Sequence, residues 1–266
     1  MSSSAEAAPI EKAAHRRRVV LATLTLLAIV GAIALGTLLG PPGGGRPLDV
    51  ELASSADGFR TALEPWRQPT GTGTCGIGSP HDGQGGSVVR LECNLFVDSV
   101  VFVPGYVGLL VLFLLVLGRE VHPLRHAVVH LLCLVPVAAG VFDIAENGMT
   151  ARAAADELER LLANGTVLDV RHASLIKWTL LEASFALVAY HGAAVAYWKG
   201  SMARAPRVLL AAGVLFATVT ALLLAIGLLG NDRWIAVGGY AATAALLSLV
   251  AWQVAALRSP TDRASA

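Results

Sequence analysis

The sequence predicts an all-α integral membrane bundle of about six transmembrane helices, with both termini in the cytoplasm. Composition, the lengths of the apolar runs and the positions of the basic residues predict it. The chain has 266 residues, 55% hydrophobic and 15% charged, whereas soluble domains carry about 25% charged residues. Its formal net charge is +1 and no basic stripe occurs, which argues against nucleic acid as a partner. We therefore expect a multi-pass protein of the cell membrane, in contact with membrane lipids.

Apolar runs of spanning length define the predicted helices, because a hydrocarbon core about 30 Å thick takes about 20 helical residues. In chain order the spans are 19–40, 95–117, 127–148, 174–198, 208–229 and 234–252. The last five form a membrane core over 95–257, and the tails are 1–18 and 258–266. The first run also has the basic flank of a signal peptide. It is longer than the roughly 7–15 residues of a signal-peptide core, which favours a retained anchor.

Basic residues set the predicted orientation, because Lys and Arg in short loops and flanks favour the cytoplasm. They precede the first span and lie between spans two and three and between spans four and five. The opposite side of the membrane then receives the loops 41–94 and 149–173. Arginines in both of these loops weaken the bias.

The first extracytoplasmic loop, 41–94, is predicted to hold a short amphipathic helix within 49–66. That helix is expected to lie on the outer membrane face, with packing on the ends of the bundle as the alternative. Cys75 and Cys93 share the loop. A disulfide between them would stabilise the fold by roughly 3 kcal/mol on the chain-entropy model, and two unpaired thiols are the alternative. Cys133 is isolated in an apolar span and is interpreted as core filling.

Charged residues inside the spans carry the functional prediction, because burying each one in hydrocarbon costs about 2.5–3.5 kcal/mol. Asp98, Asp143, Glu146, Asn147 and Lys177 lie at one predicted depth near the outer ends of three different spans. The three on span three stand at i, i+3 and i+4 and share a helical face. Two such carboxylates disfavour simultaneous ionisation unless a cation compensates. We therefore predict one convergent polar site with Asp143, Glu146 and Lys177 at its catalytic centre.

Further polar residues extend this site inward and suggest additional ligand-binding positions. On span four, Ser184 and His191 follow Lys177 at seven-residue intervals, and on span two Tyr106 lies about two turns after Asp98. Together they predict a polar track into the membrane. The alternative is that the rim charges reach headgroups and water, or only lock helices together.

Three histidines, His122, His126 and His130, recur at i, i+4 and i+8 where the chain enters span three on the predicted cytoplasmic side. Imidazoles on one helical stripe can bind zinc or copper. One rigid helix presents a third ligand to the same ion poorly, which favours an interfacial histidine patch. No other metal site, cofactor motif or soluble catalytic motif is found in the sequence.

A set of residues over about 48–178 resembles a group of uncharacterised bacterial membrane proteins. The resemblance is carried by Glu51-Leu52-Ala53, Trp66, Asp98 with Phe102, and Asp143-Ile-Ala-Glu146-Asn147. In that group the aromatic follows the first Asp one position earlier. The resemblance implies no activity, and it adds Glu51 to the ligand-binding candidates.

Three functions of different classes are compatible with the predicted site. First, it binds or processes a lipid-soluble or amphiphilic molecule, with Asp143 and Glu146 as acid and base and with Lys177 and Asn147 holding a polar head group. Second, it belongs to a small proton-coupled transporter, although no inverted repeat is visible. Third, its charges fix helix pairing in a non-enzymatic assembly subunit. The sequence does not indicate an oligomeric state.

Overall fold

The fold is helical throughout the part of the chain that the structure, a computed structural model, describes. The described residues are 20, 22–24, 26–27, 31, 46–67, 88–121, 126–158, 164–198, 202–229 and 233–258. The long helices follow the apolar runs. An α-helix pairs its interior backbone N–H and C=O groups within the same segment, which is what a membrane span requires.

The helices are numbered here in chain order, beginning in the segment 46–67, which is called the loop segment below. Their bounds are α1 Pro47–Glu51, α2 Ala56–Leu63, α3 Val88–Val97, α4 Val103–Val121, α5 His126–Leu132, α6 Leu134–Leu158, α7 Asn164–Trp198, α8 Arg204–Leu228 and α9 Arg233–Arg258. A 3₁₀ turn, Glu64–Arg67, follows α2, and a π-helical segment, Asp98–Phe102, joins α3 to α4.

Five of the described stretches are long and apolar enough to cross a membrane. They are Leu91–Val121, Ala127–Ala155, Gly165–Trp198, Arg204–Leu228 and Arg233–Ala256. These stretches confirm a helical chain compatible with a multi-pass membrane protein. The first predicted span, 19–40, lies mostly outside the described residues, so the count of six stays a prediction.

Several spanning helices are longer than their sequence predictions, most clearly on both sides of the loop 149–173. Helix α6 continues to Leu158 and α7 begins at Asn164, so most of that predicted loop is helix. At about 1.5 Å per residue, the stretch Gly165–Trp198 is roughly 50 Å long, well beyond a hydrocarbon core of about 30 Å.

Two compact units divide the chain. The first comprises Met1–Leu27, Tyr106–Val137 and Leu181–Ala266, and the second comprises Ala28–Gly105 and Ala138–Leu180.

In the first unit, glycines let helices pack closely. A Cβ placed on Gly192 would lie 2.6 Å from Val214 Cγ2, and one on Gly213 would lie 2.8 Å from Leu249 Cγ. Such distances are too short for a real side chain, so these positions require glycine for the observed packing. Small residues at contacts are how membrane helices approach one another without a hydrophobic driving force.

In the second unit, the loop segment 46–67 folds over the ends of the long helices. Ser55 caps α2 by accepting the Gly58 N–H at 3.1 Å. The apolar face of α2 and the following turn is buried in a core, and Trp66 is 1% exposed. That core contains Phe59, Leu63, Trp66, Leu91, Leu95, Ala153, Ala154, Val167 and Val170. The apolar side chains of this helix therefore pack on the ends of α6 and α7, which is the alternative expectation, and its position relative to the membrane face stays a prediction.

Candidate functional site

Lys177 is the centre of a buried acidic cluster in the second unit. Its Nζ lies 2.5 Å from Glu146 Oε2, 3.1 Å from Asp143 Oδ1 and 3.2 Å from Glu51 Oε2. All four side chains are buried, with Glu146 and Lys177 at 0% and 3% exposure. An ammonium has three N–H donors, and three carboxylate oxygens surround this one. Lys177 therefore acts as the counter-ion of the cluster.

Two helices and one loop segment supply these side chains. Asp143 and Glu146 stand three residues apart on α6, so one helical face presents both carboxylates to Lys177 on α7. Glu51 comes from α1, in the loop segment. A short helix holds it there, with Pro47 as the first helical residue, a position that favours helix initiation. The cluster thus combines residues more than 120 positions apart in the chain.

Asp98, the remaining predicted carboxylate, is joined to the cluster by hydrogen bonds of Asn147, the residue after Glu146. Asn147 Nδ2 donates to Asp98 Oδ2 at 2.7 Å and to Ser99 Oγ at 3.0 Å, while Ser99 Oγ donates to the Leu95 carbonyl at 2.8 Å. Asp98 also interacts electrostatically with Asp143 and Lys177. The amide of Asn147 therefore connects the π-helical segment to α6.

The π-helical segment accounts for the position of Asp98. The Val103 N–H donates to the carbonyl of Asp98, five residues earlier, in place of the usual four. Pro104 follows immediately and lacks the N–H that would continue the regular ladder. Single π turns of this kind widen a helix locally and are frequent at functional sites.

An arginine fastens the loop segment beside the cluster. The guanidinium of Arg171, on α7, donates a hydrogen bond to the Leu52 carbonyl, directly after Glu51. This bond satisfies the backbone at the end of α1. It therefore contributes to holding Glu51 against Lys177.

Among the described residues, the carboxylates of the cluster outnumber its ammonium groups. Four carboxylates, on Glu51, Asp98, Asp143 and Glu146, are grouped with the single ammonium of Lys177. Buried charges are tolerated only when they are paired or hydrogen-bonded. The excess of acid therefore requires further positive charge or hydrogen-bond donors.

Several buried polar atoms of the site lack a hydrogen-bond partner among the described residues. Glu146 Oε1 and Asn147 Oδ1 belong to the cluster itself. The hydroxyls of Thr150 and Ser174 lie one turn from Glu146 and Lys177 along their helices, and the indole N–H of Trp178 belongs to the residue directly after Lys177. These three groups also lack partners among the described residues. Buried polar groups in proteins are nearly always hydrogen-bonded. This concentration of unsatisfied atoms is typical of a site that receives water or a ligand.

The structure brings together six of the predicted site residues: Glu51, Asp98, Asp143, Glu146, Asn147 and Lys177. The predicted track residues Tyr106, Ser184 and His191 belong to the first unit. All three are buried, and His191 Nδ1 is hydrogen-bonded to the Leu187 carbonyl at 2.8 Å.

The histidine and cysteine predictions fall partly outside the described part of the chain. His122 lies outside it, as does the side chain of His126, and His130 is exposed. Among the described residues, no group of three or more His, Cys, Asp or Glu could hold a metal ion. Cys75 lies outside the described residues, so its disulfide with Cys93 stays a prediction. Cys133 is buried as a free thiol.

Sequence reasoning missed four polar residues near the cluster: Ser99, Thr150, Ser174 and Trp178. Helical spacing carries a signal for most of them, because Thr150 continues the face of Glu146 at i+4 and Ser174 precedes Lys177 by three residues. Their neutral side chains cost little to bury, so hydropathy does not mark them.

No protein-family model, curated protein or solved structure matches this chain.

Proposed function

We propose that this chain is a six-span protein of the cell membrane whose acidic cluster binds, and through its carboxylates processes, a lipid-soluble or amphiphilic small molecule. Both termini are cytoplasmic in this proposal, and the loop segment 46–67 and the cluster lie toward the extracytoplasmic side. The proposal rests on Glu146 Oε1, which is buried beside the pairs formed with Lys177 and has no hydrogen-bond partner in the part of the chain that the structure describes. A second unsatisfied acceptor, Asn147 Oδ1, lies on the next residue.

Each residue has a role in this proposal. Glu146 is the acid or base, because one oxygen contacts Lys177 and the other has no partner among the described residues. Asp143 is the second carboxylate on the same helical face. Lys177 and Glu51 fix the charge distribution, and Asn147 orients Asp98 while offering its carbonyl oxygen to the ligand.

The location of the cluster supports a ligand that reaches it from the membrane. All its residues except Glu51 lie within stretches of spanning length, and in a membrane aqueous solutes are dilute and lipid-soluble molecules are concentrated. The apolar core formed by the loop segment covers the same end of α6 and α7. An amphiphile can place its tail among apolar side chains and its head at the carboxylates.

Mass spectrometry of molecules that co-purify with the protein tests this function. Wild-type protein, Glu146→Gln and the matched control Glu182→Gln are purified in the same detergent. Glu182 is a half-buried glutamate of α7 outside the cluster. A specific molecule retained by wild type and Glu182→Gln and lost from Glu146→Gln is the expected result. Equal profiles from three equally folded proteins would contradict the proposal.

Proton-coupled transport is the second candidate function, favoured by the four carboxylates around one lysine. A carboxylate with excess acidic neighbours can take up and release a proton during alternating access. Proteoliposomes that show substrate-dependent proton uptake, abolished by Glu146→Gln, would replace the first proposal with this one. A purely structural role for the charges predicts instead that Asp143→Asn and Glu146→Gln disturb folding.

A further inference from the structure

The hydrogen-bonding capacity of the cluster indicates what kind of group it lacks. Asn147 Oδ1 is an amide oxygen and can accept hydrogen bonds but not donate them. The same holds for Glu146 Oε1 while its carboxylate is ionised. Both are buried and without partners among the described residues. Glu146 is taken as ionised because its Oε2 pairs with Lys177 Nζ at 2.5 Å. The missing partner of these two acceptors is then a donor, and an acceptor-rich head group would leave both atoms unsatisfied.

The position of Lys177 argues against an anionic ligand. Its Nζ already has three carboxylate oxygens within 3.2 Å, which matches the three donors of an ammonium. A phosphate or carboxylate would have to displace one of these oxygens and would then lie among the remaining acids. Repulsion between like charges at such distances is strong in a buried site.

An aromatic face beside the cluster also suits a cation. Lys177 Nζ lies 4.9 Å from the centroid of the Trp178 ring, within the range of a cation–π contact. A second cation bound at the carboxylates would meet the same acceptors as Lys177. Excess carboxylate, unsatisfied acceptors and an indole face are the usual elements of ammonium recognition.

We propose that the ligand of this site carries a protonated amine, which donates to Glu146 Oε1 and Asn147 Oδ1 and offsets the excess acid. The inference rests on the proposed amphiphile-binding function and names the chemical class of its head group. An amine-bearing membrane lipid and a single-chain lipophilic amine share this chemistry.

Thermal unfolding in phosphatidylcholine nanodiscs tests the proposal with probes that share one tail. Dodecylamine, dodecanol and dodecanoic acid are titrated against the full chain, because a ligand that binds the folded state raises the melting temperature by mass action. Butylamine tests the need for a tail, and nanodiscs containing phosphatidylethanolamine test a lipid source. Each titration is repeated with Glu146→Gln, with Asp98→Asn as a second charge-removing variant and with Glu182→Gln as the control.

The proposal predicts that dodecylamine or phosphatidylethanolamine stabilises wild type and Glu182→Gln. Apparent amine affinity is expected to fall about tenfold or more in Glu146→Gln, since a hydrogen bond to a charged group is lost. The change in Asp98→Asn is expected in the same direction, which keeps the test decisive if Glu146→Gln does not fold. Stabilisation by dodecylamine but not by the lipid assigns a single-chain amine, and the reverse assigns a lipid.

Two other outcomes separate failure of this inference from failure of the proposed function. Cluster-dependent binding of dodecanol or dodecanoic acid as tight as that of the amine would overturn the amine head group and leave amphiphile binding intact. Cluster-dependent binding of butylamine as tight as that of dodecylamine would keep the amine and contradict the amphiphile. If no probe depended on Glu146 or Asp98, both would be wrong.

Discussion

At the scale of single residues, Lys177 is the side chain on which the stability of the site is expected to depend most. It is the ammonium shared by Glu51, Asp143 and Glu146. Replacing buried ion pairs as a whole is often tolerated, whereas removing one partner leaves uncompensated charge. The energetic role of Lys177 is thus to make the neighbouring carboxylates tolerable in a buried environment.

Lys177→Met is therefore expected to lower the free energy of unfolding by about 3–5 kcal/mol, the usual cost of breaking a buried pair. Unfolding by SDS in mixed micelles measures it. Arg60→Met is the control, because Arg60 pairs with Asp57 at 2.9 Å on the surface and exposed pairs contribute about 0–1 kcal/mol. Equal, small losses in the two variants would contradict the central role of Lys177.

A second prediction concerns Asn147, a neutral residue that donates a hydrogen bond to the carboxylate of Asp98. Asn147→Leu removes the donor to Asp98 Oδ2 and is expected to cost about 1–3 kcal/mol of stability. Asp98→Asn keeps an acceptor at that position and should cost less. The same SDS titration compares them, and an equal loss in both variants would show that the hydrogen bond is not what Asn147 contributes.

Much of the cluster was predictable from residue spacing, and one contact was not. Helical periodicity placed Asp143, Glu146 and Asn147 on one face, and the predicted depth brought Asp98 and Lys177 to the same level. The contact between Glu51 and Lys177 depends on how a loop folds back over the bundle, which no local periodicity encodes. Only a resemblance in the sequence pointed to Glu51.

At the scale of elements, hydropathy located the candidate membrane spans better than it located helix ends. The predicted apolar spans end before the helices do, because α6 and α7 continue through Arg152 and Asp169. The C-terminal end of α6 and the N-terminal end of α7 stay helical because the loop segment buries Ala153, Ala154, Val167 and Val170 in a shared core. Tertiary packing, which the sequence does not state, therefore sets these boundaries.

Helix packing in the first unit provides a prediction for α8 and α9. A Cβ on Gly227 would lie 3.0 Å from the Ile235 backbone nitrogen and would also meet the Ile235 side chain, whereas Gly239 has nothing within 4 Å of such a Cβ. Gly227→Ala is expected to destabilise by about 1–3 kcal/mol, the usual cost of overpacking. Gly239→Ala should be neutral or stabilising, since alanine favours helix. Thermal melts of both variants decide, and a harmless Gly227→Ala would contradict this packing.

At the scale of the whole molecule, the proposed orientation puts the loop segment on the extracytoplasmic side of the membrane. Alkaline phosphatase, which is active only outside the cytoplasm, is fused after Arg67 and after Lys199, with the C-terminus as a third position. Activity is expected only for the fusion after Arg67, because basic flanks favour the cytoplasm at the other two positions. Activity at the C-terminus would indicate an odd number of crossings if the fusion after Arg67 is also active, and an inverted orientation if it is not.

The contact between the loop carboxylate of Glu51 and Lys177 of α7 joins the loop segment and the long helices in one site, and a double-mutant cycle between these two residues tests whether they share it. Free energies of unfolding are measured for Glu51→Gln, Lys177→Met and the double variant. A parallel cycle pairs Lys177→Met with Asp57→Asn, whose carboxylate forms a surface pair with Arg60. Direct contact at 3.2 Å predicts a coupling of at least about 1 kcal/mol for Glu51 and additivity for Asp57. Additivity within about 0.5 kcal/mol in both cycles would show that Glu51 and Lys177 do not share a site.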